Sequence, residues 1–112
     1  MSEGTHISGR FVRAVYLSGR REAGSLQIGI TIPKKSGGAV ERNRLKRLLR
    51  EAIRKGIPAL QRAIDNCGKS LEIIFQLRVT DMTSFRKGFL HHLESDIQFI
   101  CNMLQVRMSG GK

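Results

Sequence analysis

Arg42, Asn43, Lys46, Arg47, Arg50 and Arg54 lie within KKSGGAVERNRLKRLLREAIRK, a stretch from Lys34 to Lys55 that sets nine basic residues against two acidic ones. At about 100° per residue around a helix these side chains fall in one arc. Leu45, Leu48, Leu49, Ala52 and Ile53 fall in another, as a helix packed on a core requires. One side of such a helix is built to be buried, and the other to meet negative charge. The chemistry is phosphate recognition: arginine presents a planar fork of donors to two oxygens, and lysine a mobile point charge. Asn43 adds an amide that can donate and accept together. Lys34 and Lys35 carry the charge into a preceding loop. There, Gly37 and Gly38 fit an anion-binding turn ahead of a helix N-terminus and simple flexibility equally well.

Residues that cut phosphodiesters are dispersed by comparison. Metal-dependent hydrolysis needs clustered carboxylates to hold Mg²⁺, whereas Glu3, Glu22, Glu41, Glu51, Asp65, Glu72, Asp81, Glu94 and Asp96 are scattered. A metal-free ribonuclease needs a histidine pair, or histidine and lysine, across a cleft. His91 and His92 are neighbours and so point to different sides of a helix, and His6 lies near an N-terminus expected to be unstructured. Cys67 and Cys101 lack metal-ligand spacing and are expected as unlinked thiols in a reducing cytoplasm. An enzyme acting by its own side chains is therefore disfavoured, with no catalytic residue and no protein metal site expected on this chain.

The elements that must position the basic helix are short and mixed. A chain of 112 residues supports one domain with one modest core. Its 40% hydrophobic and 26% charged content is that of a folded protein. The net charge of +11 is unusual, and thirteen of the twenty basic residues are arginine, which makes a polyanion, nucleic acid first, the expected partner. No apolar run is long enough to span a bilayer and the N-terminus has no signal-peptide h-region.

RFVRAVYL (Arg10 to Leu17) reads as a strand with Phe11, Val15 and Leu17 on one side and Val12, Ala14 and Tyr16 on the other. LQIGITI (Leu26 to Ile32) alternates cleanly, Leu26, Ile28, Ile30 and Ile32 against Gln27, Gly29 and Thr31. After the basic helix, Gly56 and Pro58 predict a break and a second short helix, and Gly68 closes that segment. LEIIFQLRV (Leu71 to Val79) is an apolar, central strand. A last amphipathic helix runs from Phe85 to about Met108 through Phe89, Leu93, Ile97, Ile100 and Leu104, with Thr83 or Ser84 as its cap. The order β, β, α, β, α predicts an α/β (α+β) two-layer sandwich over residues 1–112: a small mixed sheet with a strand–helix–strand crossover and a C-terminal helix. Residues 1–9 and 109–112 are expected to be flexible. Helices are expected on the isoleucine side of the sheet, leaving Val12, Ala14, Tyr16, Gln27, Gly29 and Thr31 on an open side.

This ordered set, strand, strand, Lys-Lys, glycines, Arg-Asn-Arg helix, apolar strand and final helix, resembles the protein subunit of bacterial ribonuclease P. The resemblance implies a ribosomal protein S5 domain 2-like fold and a place in an RNA-based endonuclease that removes the 5′ leader of precursor tRNA. It implies as partners the catalytic RNA subunit and precursor tRNA, with no protein partner, and as cofactor Mg²⁺ bound through RNA, not by a protein site. Carried over by position, Lys34, Lys35, Arg42, Asn43, Arg44, Lys46, Arg47, Arg50 and Arg54 become RNA-binding residues, and Val12, Ala14, Tyr16 and Thr31 a leader cleft where Tyr16 could stack on a base. The family usually begins with a basic, Phe-containing helix bordering that cleft. Only about ten residues precede the first strand here, so that wall is expected to be missing or the chain to start late. The alternative reading is a structural or ribosomal RNA-binding protein without a role in cleavage.

Overall fold

The computed structural model describes residues 5–19, 21–34, 37–78 and 89–109. In chain order these form β1 (Thr5–Ser8), β2 (Val12–Ser18), β3 (Leu26–Thr31), α1 (Ala39–Cys67), β4 (Leu71–Leu77) and α2 (Phe89–Ser109). The sheet order is β1-β2-β4-β3, with β1/β2 and β2/β4 antiparallel and β3/β4 parallel. LEIIFQL is flanked by strands on both sides, as its apolar content requires. β3 is an edge, and α1 is the crossover that its parallel pairing with β4 demands. Both helices pack on one face of this mixed sheet, which is the expected two-layer sandwich.

Register decides which side of each strand is buried. Ile7, Ala14, Phe75 and Ile30 lie in one row across the four strands, and Ser8, Arg13, Gln76 and Thr31 in the next. The first row faces the helices: Ile7, Ala14 and Phe75 are buried and Ile30 packs against the same cluster. The second row faces away. Val12, Ala14 and Tyr16 therefore do not line an open surface; all three lie in the core, and only Thr31 of the expected cleft residues is exposed. Both sides of β2 carry apolar residues, and Arg13, the charged one, lies on the side that faces away. Pairing with Phe75 places Ala14 on the other. Tyr16 additionally places its hydroxyl 3.1 Å from Arg107 Nη1, which donates to it from the end of α2.

Two boundaries differ from expectation. The start of the chain is not wholly unstructured: Thr5–Ser8 adds an edge strand to β2. Also, α1 is one helix of 29 residues that passes through Gly56 and Pro58 without stopping. Pro58 withdraws the N–H that would bond the carbonyl of Arg54, but tertiary packing outweighs that loss. Gly56 sits where α1 meets α2, and a Cβ there would lie 2.9 Å from Cys101 Sγ and 3.0 Å from Ile97 Cγ2. Its small size serves helix contact rather than termination. The stop comes at Gly68, in the left-handed region at φ 71°, whose N–H bonds the Ile64 carbonyl. The expected caps Thr83 and Ser84, and Phe85 and Val79, lie outside the described residues.

Candidate nucleic-acid interface

The first half of α1 separates its two faces as the heptad-like spacing demands. Leu45, Leu49, Ala52 and Ile53 are buried, and Leu48 is half-buried. Asn43, Arg44, Lys46, Arg47, Arg50 and Arg54 are exposed, as is Lys34 in the preceding loop; Lys35 lies outside the described residues. Arg42 is half-buried, at the border of the apolar side, and its Nε is shielded without a hydrogen-bond partner.

Arg42, Lys46, Arg50 and Arg54 recur every fourth residue, about 6 Å apart along the axis, which makes a slanting row of cations beside β3. Arg44 and Arg47 stand further round the helix. Among the described residues Arg42, Arg44, Lys46, Arg47 and Arg50 make no ion pair, while Arg54 pairs with Glu51 one turn away. Lys55 is committed elsewhere: its ammonium bonds the Glu94 carboxylate of α2, which raises its pKa. Arg44, Lys46, Arg47 and Arg50, exposed and without an ion pair among the described residues, are thus the ones free to meet a ligand.

Between this row and β3 runs a groove. One part, about 370 Å³, has Ile28, Ile30, Ile53 and Ile57 as its floor and Lys46, Arg50 and Arg54 on its rim. A second part, about 330 Å³, is lined by Thr31, Ile32, Ala39, Arg42 and Asn43, and shares Ile30 and Lys46 with the first. Thr31 is brought to Arg42 and Asn43 at the end of β3, so one expected cleft residue and two expected RNA contacts meet there. The isoleucine floor was not anticipated, because it needs β3 and α1 side by side. The sheet's open side carries the expected Gln27, Gly29 and Thr31 of β3, but β2 contributes Arg13 and Val15 in place of Val12, Ala14 and Tyr16, and β4 adds Ile74 and Gln76, with Ile74 44% exposed.

A model of the family described as Ribonuclease P matches residues 1–95. The chain belongs to the ribonuclease P family. A ribonuclease P protein component of Bacillus cereus is 37% identical over 79 residues, 69% of this chain and 64% of that protein. One from Bacillus anthracis is 35% identical over the same length and is covered to 62%. This chain therefore spans just under two thirds of the curated relatives it matches. The RNase P protein of Thermotoga maritima has the same fold, with a TM-score of 0.66 at 20% identity over 92% of this chain and 83% of that one. The same protein in complex with 1-(4-fluorophenyl)-2-thiourea superposes with a TM-score of 0.62 at 21% identity, covering 92% and 85%.

Other polar groups of this ribonuclease P family chain are tied into the fold. Glu72 pairs with Arg21, Glu94 with Lys55 and Glu51 with Arg54, while Asp96 accepts main-chain N–H groups. Among the described residues no group of three or more His, Cys, Asp or Glu side chains could hold a metal ion, and no helix is long and apolar enough to cross a membrane. The chemical capacity of the surface is charge, donors to phosphate oxygens, and an apolar groove.

Proposed function

We propose that the chain is the protein component of a ribonucleoprotein endonuclease that removes the 5′ leader of precursor tRNA in the cytoplasm. Family membership supports the assignment, and the single observation that carries it is the row of cations on α1, of which Arg42, Lys46 and Arg50 make no ion pair among the described residues, backed by a buried leucine face that holds it rigid. In this reading Lys34, Lys35, Arg42, Asn43, Arg44, Lys46, Arg47, Arg50 and Arg54 bind the large RNA subunit. The leader crosses the open sheet side, where Thr31 is joined by Arg13, Val15, Ile74 and Gln76 in place of the buried Val12, Ala14 and Tyr16.

Cleavage belongs to the RNA and to Mg²⁺ held by its phosphates. What supports that division is that Glu51, Glu72 and Glu94 are paired with cations and Asp96 with main-chain amides. The protein supplies positive charge, which offsets repulsion between two polyanions and so lowers the Mg²⁺ they need to associate. The test is the Mg²⁺ dependence of precursor cleavage by a ribonuclease P RNA. The protein should shift the requirement to lower concentration, and free of RNA it should cut nothing. An unshifted requirement, or cleavage by protein alone that a single carboxylate or histidine substitution eliminates, would refute the assignment.

A further inference from the structure

Phosphate binding by Lys46, Arg50 and Arg54, as proposed above, engages only the rim of the α1–β3 groove. Its floor is four isoleucine side chains, of which Ile28, Ile30 and Ile57 are half-buried and so still expose apolar surface. β3 is also a free edge. The Ser25 carbonyl accepts from Leu71 N–H at 2.9 Å, and Leu26 is in register with Leu71, so main-chain groups of odd-numbered residues turn toward β4. Those of Ile28 and Ile30 consequently point out of the edge, and no described strand pairs with them. One hollow therefore combines an apolar floor, unused main-chain donors and acceptors, and cations about one helical turn apart. A flat apolar ring with a polar edge and a phosphate on either side has this complement of groups.

We propose that the groove receives an unstacked base of the RNA subunit. The ring lies on Ile28, Ile30, Ile53 and Ile57, its edge bonds the free main-chain groups of β3, and Lys46 and Arg50 hold the flanking phosphates. Single-stranded RNA is read by splaying bases out of the stack, and apolar side chains can clasp a base so extruded. A space of about 370 Å³ admits one base and excludes a duplex. An added peptide strand would also use the edge. Lys46 and Arg50 on the rim make no ion pair among the described residues, and they favour the ligand that carries an anion at every residue. This inference rests on the reading that α1 binds RNA.

The full chain, labelled at isoleucine methyls, is titrated with a short oligoadenylate and with an abasic oligonucleotide of equal phosphate number. The base-bearing strand should bind roughly tenfold tighter and move the Ile28, Ile30 and Ile57 methyls upfield by ring current. The abasic strand should leave those methyls in place, and Ile57→Ala should narrow the difference in affinity. Equal affinity with unmoved methyls would overturn the base pocket while leaving phosphate binding by α1 intact. Binding of neither strand would overturn both. Perturbation of those methyls by a polyglutamate peptide, with no ring-current shift from the oligoadenylate, would assign the groove to a protein strand instead.

Discussion

Asp96 is a buried carboxylate whose Oδ2 accepts Phe11 N–H at 2.5 Å and Val12 N–H at 3.0 Å. It ties α2 to the start of β2, and Gly9 has no side chain because a Cβ would lie 2.8 Å from Asp96 Cγ. Asp96→Ala strands two amides and should lower stability by about 2 kcal/mol in urea unfolding; an unchanged midpoint would mean that water replaces the carboxylate. Tyr16→Phe removes only the bond from Arg107 and should cost about 1 kcal/mol of stability. It should leave binding of precursor tRNA untouched, and a loss of binding there would return Tyr16 to the interface. Burial pushes the Cys101 thiol from 9.0 up to about 11. The unfolded chain's thiol therefore ionises first as pH rises, so this group's contribution is intact below 9.0 and is lost toward about 11. Urea midpoints of the parent protein should fall across that window, and fall less steeply in Cys101→Ala.

The α1–α2 contact is the element on which the rest of the groove depends, since it holds α1 from its far side. Cys101 Sγ donates to the Gly56 carbonyl at 3.7 Å, and Gln105 Nε2 bonds the Ala59 carbonyl at 3.1 Å, both across this seam. Gly56→Ala improves helix propensity by about 1 kcal/mol but forces a methyl into Cys101 and Ile97, a cost of about 1 to 3 kcal/mol. A net destabilisation is expected. Combined with Cys101→Ala, which vacates the sulfur's space, the same substitution should cost less than it does in the parent. The double-mutant cycle reads that coupling directly, and strict additivity would mean the methyl is accommodated elsewhere.

At the scale of the whole molecule, the +11 net charge is concentrated: Lys34 to Lys55 holds nine basic and two acidic residues, a net of +7. With roughly six phosphate contacts, affinity for the RNA subunit should fall about a thousandfold between about 50 and 200 mM salt. Replacing Arg42, Lys46 and Arg50 with Ala should flatten that dependence without unfolding the chain, because none belongs to the buried leucine row. A slope equal to the parent's would take α1 out of the interface. The open side of the sheet is the lesser charge site, with Arg13 beside Gln76 and Thr31 on the far side of Gln76. Arg13→Ala should reduce the preference for precursor over mature tRNA more than it reduces affinity for the RNA subunit, a split that a role in general charge would not produce.

The amphipathic spacing of α1, the clean alternation of LQIGITI and the apolar run of LEIIFQL each determined an element and its buried side, because in each the polar and apolar residues are segregated along one chain segment. Composition set the expected kind of partner, a polyanion, in the same way. The row of cations on α1 was legible for that reason, down to Arg42, Lys46 and Arg50. The opposite holds for β2, where Val12, Ala14 and Tyr16 alternate with Arg13, Val15 and Leu17. Both sides hold apolar residues, with Arg13 on the one that faces away, and the pairing of Ala14 with Phe75 places the first in the core. Gly56 and Pro58 read locally as a break, yet burial along α2 carries the helix through both. The isoleucine-floored groove is likewise a product of tertiary structure. Ile28 and Ile57 are 29 residues apart in sequence and become one surface only because the parallel crossover lays α1 along an unpaired edge strand.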